Sequence, residues 1–147
     1  MRKAITYRLL FLALIFCLNL FFYFTLGLQD PRYHIDDLAH FLGGLGIALL
    51  AIEYFSGKLG HLSKASYLLT IVGITIFVGI AWEVTEYFAQ QIPALHNVPI
   101  IGDLADTLTD LVNDTIGAVC ATGLHLLRRR QPQQVEAISQ YDSGSLN

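Results

Sequence analysis

Residues Leu9 to Leu28 contain no charged side chain, and neither do residues Ala65 to Trp82. A helix rises about 1.5 Å per residue, so about 20 apolar residues cross the roughly 30 Å hydrocarbon core of a bilayer. Blocks of that length commit the chain to a membrane. Within a bilayer each segment must satisfy its own backbone polar groups, and a helix does so. Composition agrees, with 54% hydrophobic and 14% charged residues against about 25% charged in a typical soluble domain. Shorter apolar runs begin at Leu38 and Thr115. The expected fold is all-α: a polytopic integral membrane protein built as a bundle of four transmembrane helices.

We place the first helix at about residues 6–28, ended by Pro31. The second runs over about 36–55, with Asp36 or Asp37 favourably placed against the positive end of its dipole. A loop with Gly57, Lys58, Gly60, His61 and Lys64 leads to a third helix at about 66–90. Pro93 and Pro99 mark an uncharged loop, and a fourth helix at about 104–127 is stopped by Arg128, Arg129 and Arg130. Residues 1–130 then form one membrane domain, and 131–147, polar and without apolar period, a disordered cytoplasmic tail. Arg2, Lys3 and Arg8 before an apolar stretch also suit a signal peptide. The stretch exceeds the usual core of about 7–15 residues and no A-x-A-like site follows, so an uncleaved first helix is the better reading. Cys17 and Cys120 fall inside apolar segments and read as packing residues. No basic surface points to nucleic acid.

Lys and Arg placement sets the orientation. They cluster before the first helix, between the second and third, and after the fourth, whereas the opposite end carries only Arg32. This predicts a multi-pass protein of the inner or plasma membrane with both termini cytoplasmic. The 29–36 and 91–103 loops then face outward. Tyr23, Tyr33, Trp82 and Tyr87 fall near the outer ends, as an interfacial aromatic belt would.

That orientation brings ionisable groups to one level. Asp36, Asp37 and His40 start the second helix, Glu83 and Glu86 end the third, and Asp103, Asp106, Asp110 and Asp114 occupy the outer half of the fourth. Spacings of three and four put Asp36 with His40, Glu83 with Glu86, and Asp110 with Asp114 on common faces. Each polar stripe continues into small residues: Gly43, Gly44 and Gly46 on the second helix, Gly79 on the third, Gly117 and Ala121 on the fourth. Small residues let helices approach closely, so these faces point into a bundle.

Thr115 to Leu127 makes only about 20 Å of helix, so Asp114 and Asp110 belong below the outer interface. An Asp at mid-membrane costs about 2.5–3.5 kcal/mol on insertion scales. No Lys or Arg lies near enough to offset this, Arg32 excepted. Three compensations remain: protonated acids, a water-filled cavity, or a bound cation. Oxygen ligands with one His suit a divalent ion such as Mg²⁺, Mn²⁺, Ca²⁺, Zn²⁺ or Fe²⁺. The candidate metal ligands are His40, Asp110, Asp114 and Asp36, with Glu83 and Glu86 as candidate catalytic groups or further ligands. All five of His40, Glu83, Glu86, Asp110 and Asp114 are expected in one outer-leaflet cavity. Beyond Arg8 the first helix carries no acid or base in its span, and it is expected to be a scaffold outside the site.

Plainer roles compete at several positions. Asp37 suits a helix cap, Asp103 and Asp106 a solvated or capping role, and Glu83 and Glu86 a place among headgroups. His34, His61, His96 and His125 read as solvated or interfacial, and Glu53 as snorkelling to the cytoplasmic side.

The segment Asp36-Asp37-Leu38-Ala39-His40-Phe41 resembles the D-x-x-x-H-F signature of VanZ-like membrane proteins. Asp110 to Gly117, D-L-V-N-D-T-I-G, resembles that family's D-x-x-x-[ND]-x-x-G. Trp82-Glu83-Val84-Thr85-Glu86 sits where the family carries its central Glu-containing helix. The resemblance covers about residues 36–121 and implies a bacterial envelope protein. The named member's association with glycopeptide resistance belongs to that member. In this chain Glu86 takes the place of the Gln in the family's E-x-x-Q, and no Arg follows before Asp110. In this it looks more like a neighbouring group of uncharacterised bacterial four-helix proteins.

No nucleophile motif, phosphate loop or cofactor fingerprint specifies a reaction. The first functional reading is a metal-binding envelope protein acting as a hydrolase or transferase on a lipid or cell-wall precursor, with the bilayer and a lipid-linked substrate as partners. The second is a proton- or cation-coupled transporter, for which four helices are few and a homo-oligomer is expected. The third is a non-enzymatic subunit or assembly factor whose acids hold helices together.

Overall fold

The computed structural model describes residues 2–25, 35–93 and 103–128. Pro31, Arg32, Tyr33, His34, the loop with His96 and Pro99, and the tail from Gln131 lie outside the described residues.

The described chain forms α1 (Arg2–Thr25), α2 (Ile35–Phe55), α3 (Lys64–Gln90) and α4 (Leu104–Arg128), with no strand among the described residues. The boundaries follow from local chemistry. Helix α1 starts before the expected position, so Arg2, Lys3 and Arg8 all lie on it. Helix α3 also starts earlier than its first apolar residues suggest, because Ser63 caps it: the Ser63 hydroxyl accepts from the Ser66 backbone N–H at 3.2 Å. A carboxylate caps α4, where Asp103 Oδ1 accepts from the N–H groups of Ala105 (2.8 Å) and Asp106 (3.0 Å). Backbone turns from Lys58 and Leu59 back to the Phe55 carbonyl close α2. There the Lys58 ammonium lies 5.5 Å from the centre of the Tyr54 ring.

Helices α1, α2 and α3 are long and apolar enough to cross a bilayer. Helix α4 spends its polar residues on one face. Asp110, Asp114, Gly117, Ala118, Ala121 and Thr122 are buried, while Leu108, Val112, Ile116 and Val119 are exposed. An acid-bearing helix thereby keeps an apolar exterior for lipid. Helix α3 divides the same way at strict four-residue steps: Tyr67, Ile71, Thr75, Gly79 and Glu83 form its buried stripe.

The core lies where α2, α3 and α4 meet, around Ala48, Ala51, Ile52, Tyr67, Ile71, Ala118 and Ala121. Four of these seven are alanine, which lets the backbones come close. The tightest place is the α2–α4 crossing. A Cβ on Gly44 would collide with the Asp114 backbone, and one on Gly117 with the Phe41 carbonyl. Without a hydrophobic drive between helices in lipid, such backbone-on-backbone packing is a main source of association. Helix α1 packs chiefly on α2. The ends of α1 and α3 and the starts of α2 and α4 therefore share one end of the bundle.

Candidate functional site

His40 sits on the buried face of α2, one turn before Gly44. The closeness enforced at Gly44 brings α4 against it. The two imidazole nitrogens face different carboxylates. Nδ1 lies 3.6 Å from Asp114 Oδ2. Nε2 lies 3.8 Å from Asp110 Oδ2 and 3.9 Å from Glu83 Oε1. All four side chains are more than nine-tenths buried. Asp36, one turn earlier on α2 and exposed, completes the group: one ligand atom each from Asp36, His40 and Asp110 lie within 4.8 Å of one another.

Hydrogen bonds from neighbouring helices hold these acids in place. The Thr107 hydroxyl donates to Glu83 Oε2 at 2.9 Å, tying α4 to α3. The Asn113 amide donates to Asp37 Oδ1 at 3.1 Å, tying α4 to α2. The Asn19 amide donates to Asp36 Oδ1 at 3.4 Å, tying α1 to α2. Glu83 Oε1, the oxygen facing His40, is buried and has no hydrogen-bond partner in the structure. A buried carboxylate oxygen left without a donor is costly, unless a positive centre meets it.

The structure brings together His40, Glu83, Asp110, Asp114 and Asp36. Glu86 is half-buried one turn beyond Glu83 and makes no ion pair with His40. Asp103 caps α4, as the sequence suggested. Asp37, read as a cap, accepts from Asn113 across the helix interface. Helix α1 does not stand outside the site, as its lack of charge beyond Arg8 had suggested: Asn19 reaches Asp36, and Leu12, Ile15 and Phe16 wall the adjoining cavity. An Asn in an otherwise apolar span was the available signal, because an amide in lipid demands a partner. His125 is also not a plain interfacial residue; it is half-buried, with its ring stacked on buried Tyr67 at 5.8 Å.

Chemically, three helices aim oxygen and nitrogen donors at one volume. In an octahedral site with bonds of about 2.1–2.4 Å, opposite ligands lie about 4.2–4.8 Å apart, the scale of the Asp36–His40–Asp110 group. A carboxylate on the second nitrogen of a metal-binding imidazole fixes its tautomer and raises its basicity, and Asp114 stands there.

Fold and site define a small polytopic membrane protein with an acid–histidine cluster at one end of its helix bundle. The model of the family described as "Predicted membrane protein (DUF2238)" matches residues 4–131, and the chain belongs to that family. No curated protein and no solved structure matches it.

Proposed function

We propose that this protein binds a divalent cation at the outer end of its bundle and acts there on a lipid or cell-wall precursor in the envelope. The observation that carries the reading is the convergence of Asp36, His40 and Asp110 within 4.8 Å, from helices with no Lys or Arg between Ile35 and Ser56 or between Leu104 and Leu127. Acids so placed need a compensating charge, and a cation supplies it. His40 Nε2, Asp110 and Asp36 are the ligands nearest one another. Asp114 approaches from the Nδ1 side. Glu83 is the free base or additional ligand, with Glu86 next to it in line. The cation would polarise a phosphoryl or carbonyl oxygen or lower the pKa of a bound water. The order of the two Asp-containing motifs supports kinship with the VanZ-like proteins. The Lys and Arg bias supports a plasma-membrane protein with cytoplasmic termini.

A one-sided site is favoured over a transport path. Below Asp114 the interior closes with Ile71, Thr75, Ala118 and Thr122, all under 2% exposed. Both threonine hydroxyls donate to their own helices, at Ile71 and Ala118. Among the described residues of this layer, both threonine hydroxyls are thus engaged within their own helices.

Elemental analysis of purified protein tests the reading. Wild type should carry bound metal in stoichiometric amount, and His40→Ala and Asp110→Asn should lose it while remaining folded. Wild-type protein that takes up no Mg²⁺, Mn²⁺, Ca²⁺, Zn²⁺ or Fe²⁺ would overturn it.

A further inference from the structure

Between α1, α2 and α3 lies a cavity of about 180 Å³. Its walls are Leu12, Ile15 and Phe16 of α1, Ile47 of α2, and Val78 and Trp82 of α3, and it runs up to His40 and Asp114. Apolar side chains make most of this lining, beside the polar Asn19, His40, Thr75 and Asp114. Because α1 packs chiefly on α2, the side between α1 and α3 faces the surrounding acyl chains. The edge-to-face contact of Phe16 with Trp82, centroids 5.6 Å apart, bridges that side.

We propose that this cavity holds a hydrocarbon chain of a membrane lipid whose phosphate head rests on the cation at His40, an assignment that rests on the cation reading above. Charge complementarity decides the head. Asp36, Glu83, Asp110 and Asp114 alone repel an anion. With a divalent ion among them, the same end of the cavity attracts a phosphate. His40 belongs to both the ligand group and the cavity wall, so head and chain sites are contiguous. The chain enters laterally, past Phe16 and Trp82, and never leaves an apolar environment.

Gly43 provides the test. It lines the cavity, and a Cβ built on it meets nothing within 4 Å. Gly43→Leu therefore fills the slot without forcing the backbone. Gly73 is equally open and lies away from the cavity, so Gly73→Leu is the matched control. The probe is phosphatidic acid with a diazirine on its acyl chain, photolysed with the full-length protein in nanodiscs containing Mn²⁺, with adducts mapped by mass spectrometry. Adducts should concentrate on Phe16, Ile47 and Val78. Gly43→Leu should reduce them about tenfold, the scale set by excluding a few methylenes from an apolar slot. Gly73→Leu should leave them unchanged, and both variants should keep their metal. If Gly43→Leu fails to fold, Ile47→Trp carries the same expectation. Adducts spread evenly over lipid-facing residues such as Leu69 and Phe77, or undiminished by filling the slot, would overturn the proposal. Diacylglycerol with the same diazirine should label about tenfold less, and chelation should erase that difference. Equal labelling by both lipids would overturn the phosphate head. Slot-dependent labelling of a wild-type protein that binds no metal would overturn the cation reading while leaving the chain site standing.

Discussion

The imidazole of His40 joins the site because its two nitrogens serve different partners. Nε2 looks toward Asp110 and Glu83, and Nδ1 toward Asp114. Residues that never touch a ligand should therefore matter. Thr107→Val removes the hydroxyl that holds Glu83 Oε2 and keeps the shape of the side chain. Such supporting bonds typically contribute about 10–100-fold in metal affinity. We expect a loss in that range by metal titration, with the thermal unfolding of the metal-free protein nearly unchanged; unaltered affinity would show that Glu83 is held by other means. His40, Glu83, Asp110 and Asp114 were legible in the sequence because a charge in lipid is costly enough to dictate which way a helix faces. Thr107, Asn113 and Asn19 were not. Neutral polar side chains are common in membrane helices, and their partners lie 24, 76 and 17 residues away in the chain. Glu86 shows the limit of spacing arguments: three residues from Glu83 puts the two on a common face, yet Glu86 falls short of His40.

Among the helices, α2 and α4 form the closest pair, and the reason is local. Gly44 meets the Asp114 backbone and Gly117 meets the Phe41 carbonyl, so the contact is reciprocal. It also sets the separation between His40 and Asp114, since each lies within one turn of the crossing. Gly44→Val or Gly117→Val should force the two helices apart. Overpacking of this kind costs about 1–3 kcal/mol, read as a lower midpoint of thermal unfolding in detergent. The same variants should weaken metal binding without touching a ligand. Gly43→Ala, with open space around its Cβ, should do neither. A Gly44→Val protein as stable as wild type would mean that the crossing is not close-packed. The small-residue stripes announced this contact in the sequence. The helix starts were read less well. Helix α3 opens at Lys64 rather than at about residue 66, because the Ser63 hydroxyl caps it, and a cap is recognised only once the helix it serves is placed. Charge does not mark the role of α1, whose contribution to the site is one amide and an apolar wall.

Across the whole molecule, charge is sorted by end. The start of α1 carries Arg2, Lys3 and Arg8, the turn between α2 and α3 carries Lys58 and Lys64, and the close of α4 carries Arg128. An up-and-down bundle puts those three places together. The opposite end holds Asp36, Asp37, Glu83, Glu86, Asp103 and Asp106. In short loops it is the Lys and Arg excess that marks the cytoplasmic side, while acids contribute little. The basic end is therefore predicted to face the cytoplasm, and the His40 cluster to open toward the outer leaflet. An alkaline phosphatase fused in the turn at Gly60 should be inactive, and one fused at His96 should be active; a fluorescent protein that matures only in the cytoplasm should give the reverse pattern. This outcome matters beyond topology, because it decides which leaflet would supply the proposed lipid. If both reporters gave the opposite result, the cluster would lie at the cytoplasmic face. The His40 cluster and the apolar slot would keep their geometry, and the proposed lipid would have to be sought in the inner leaflet instead.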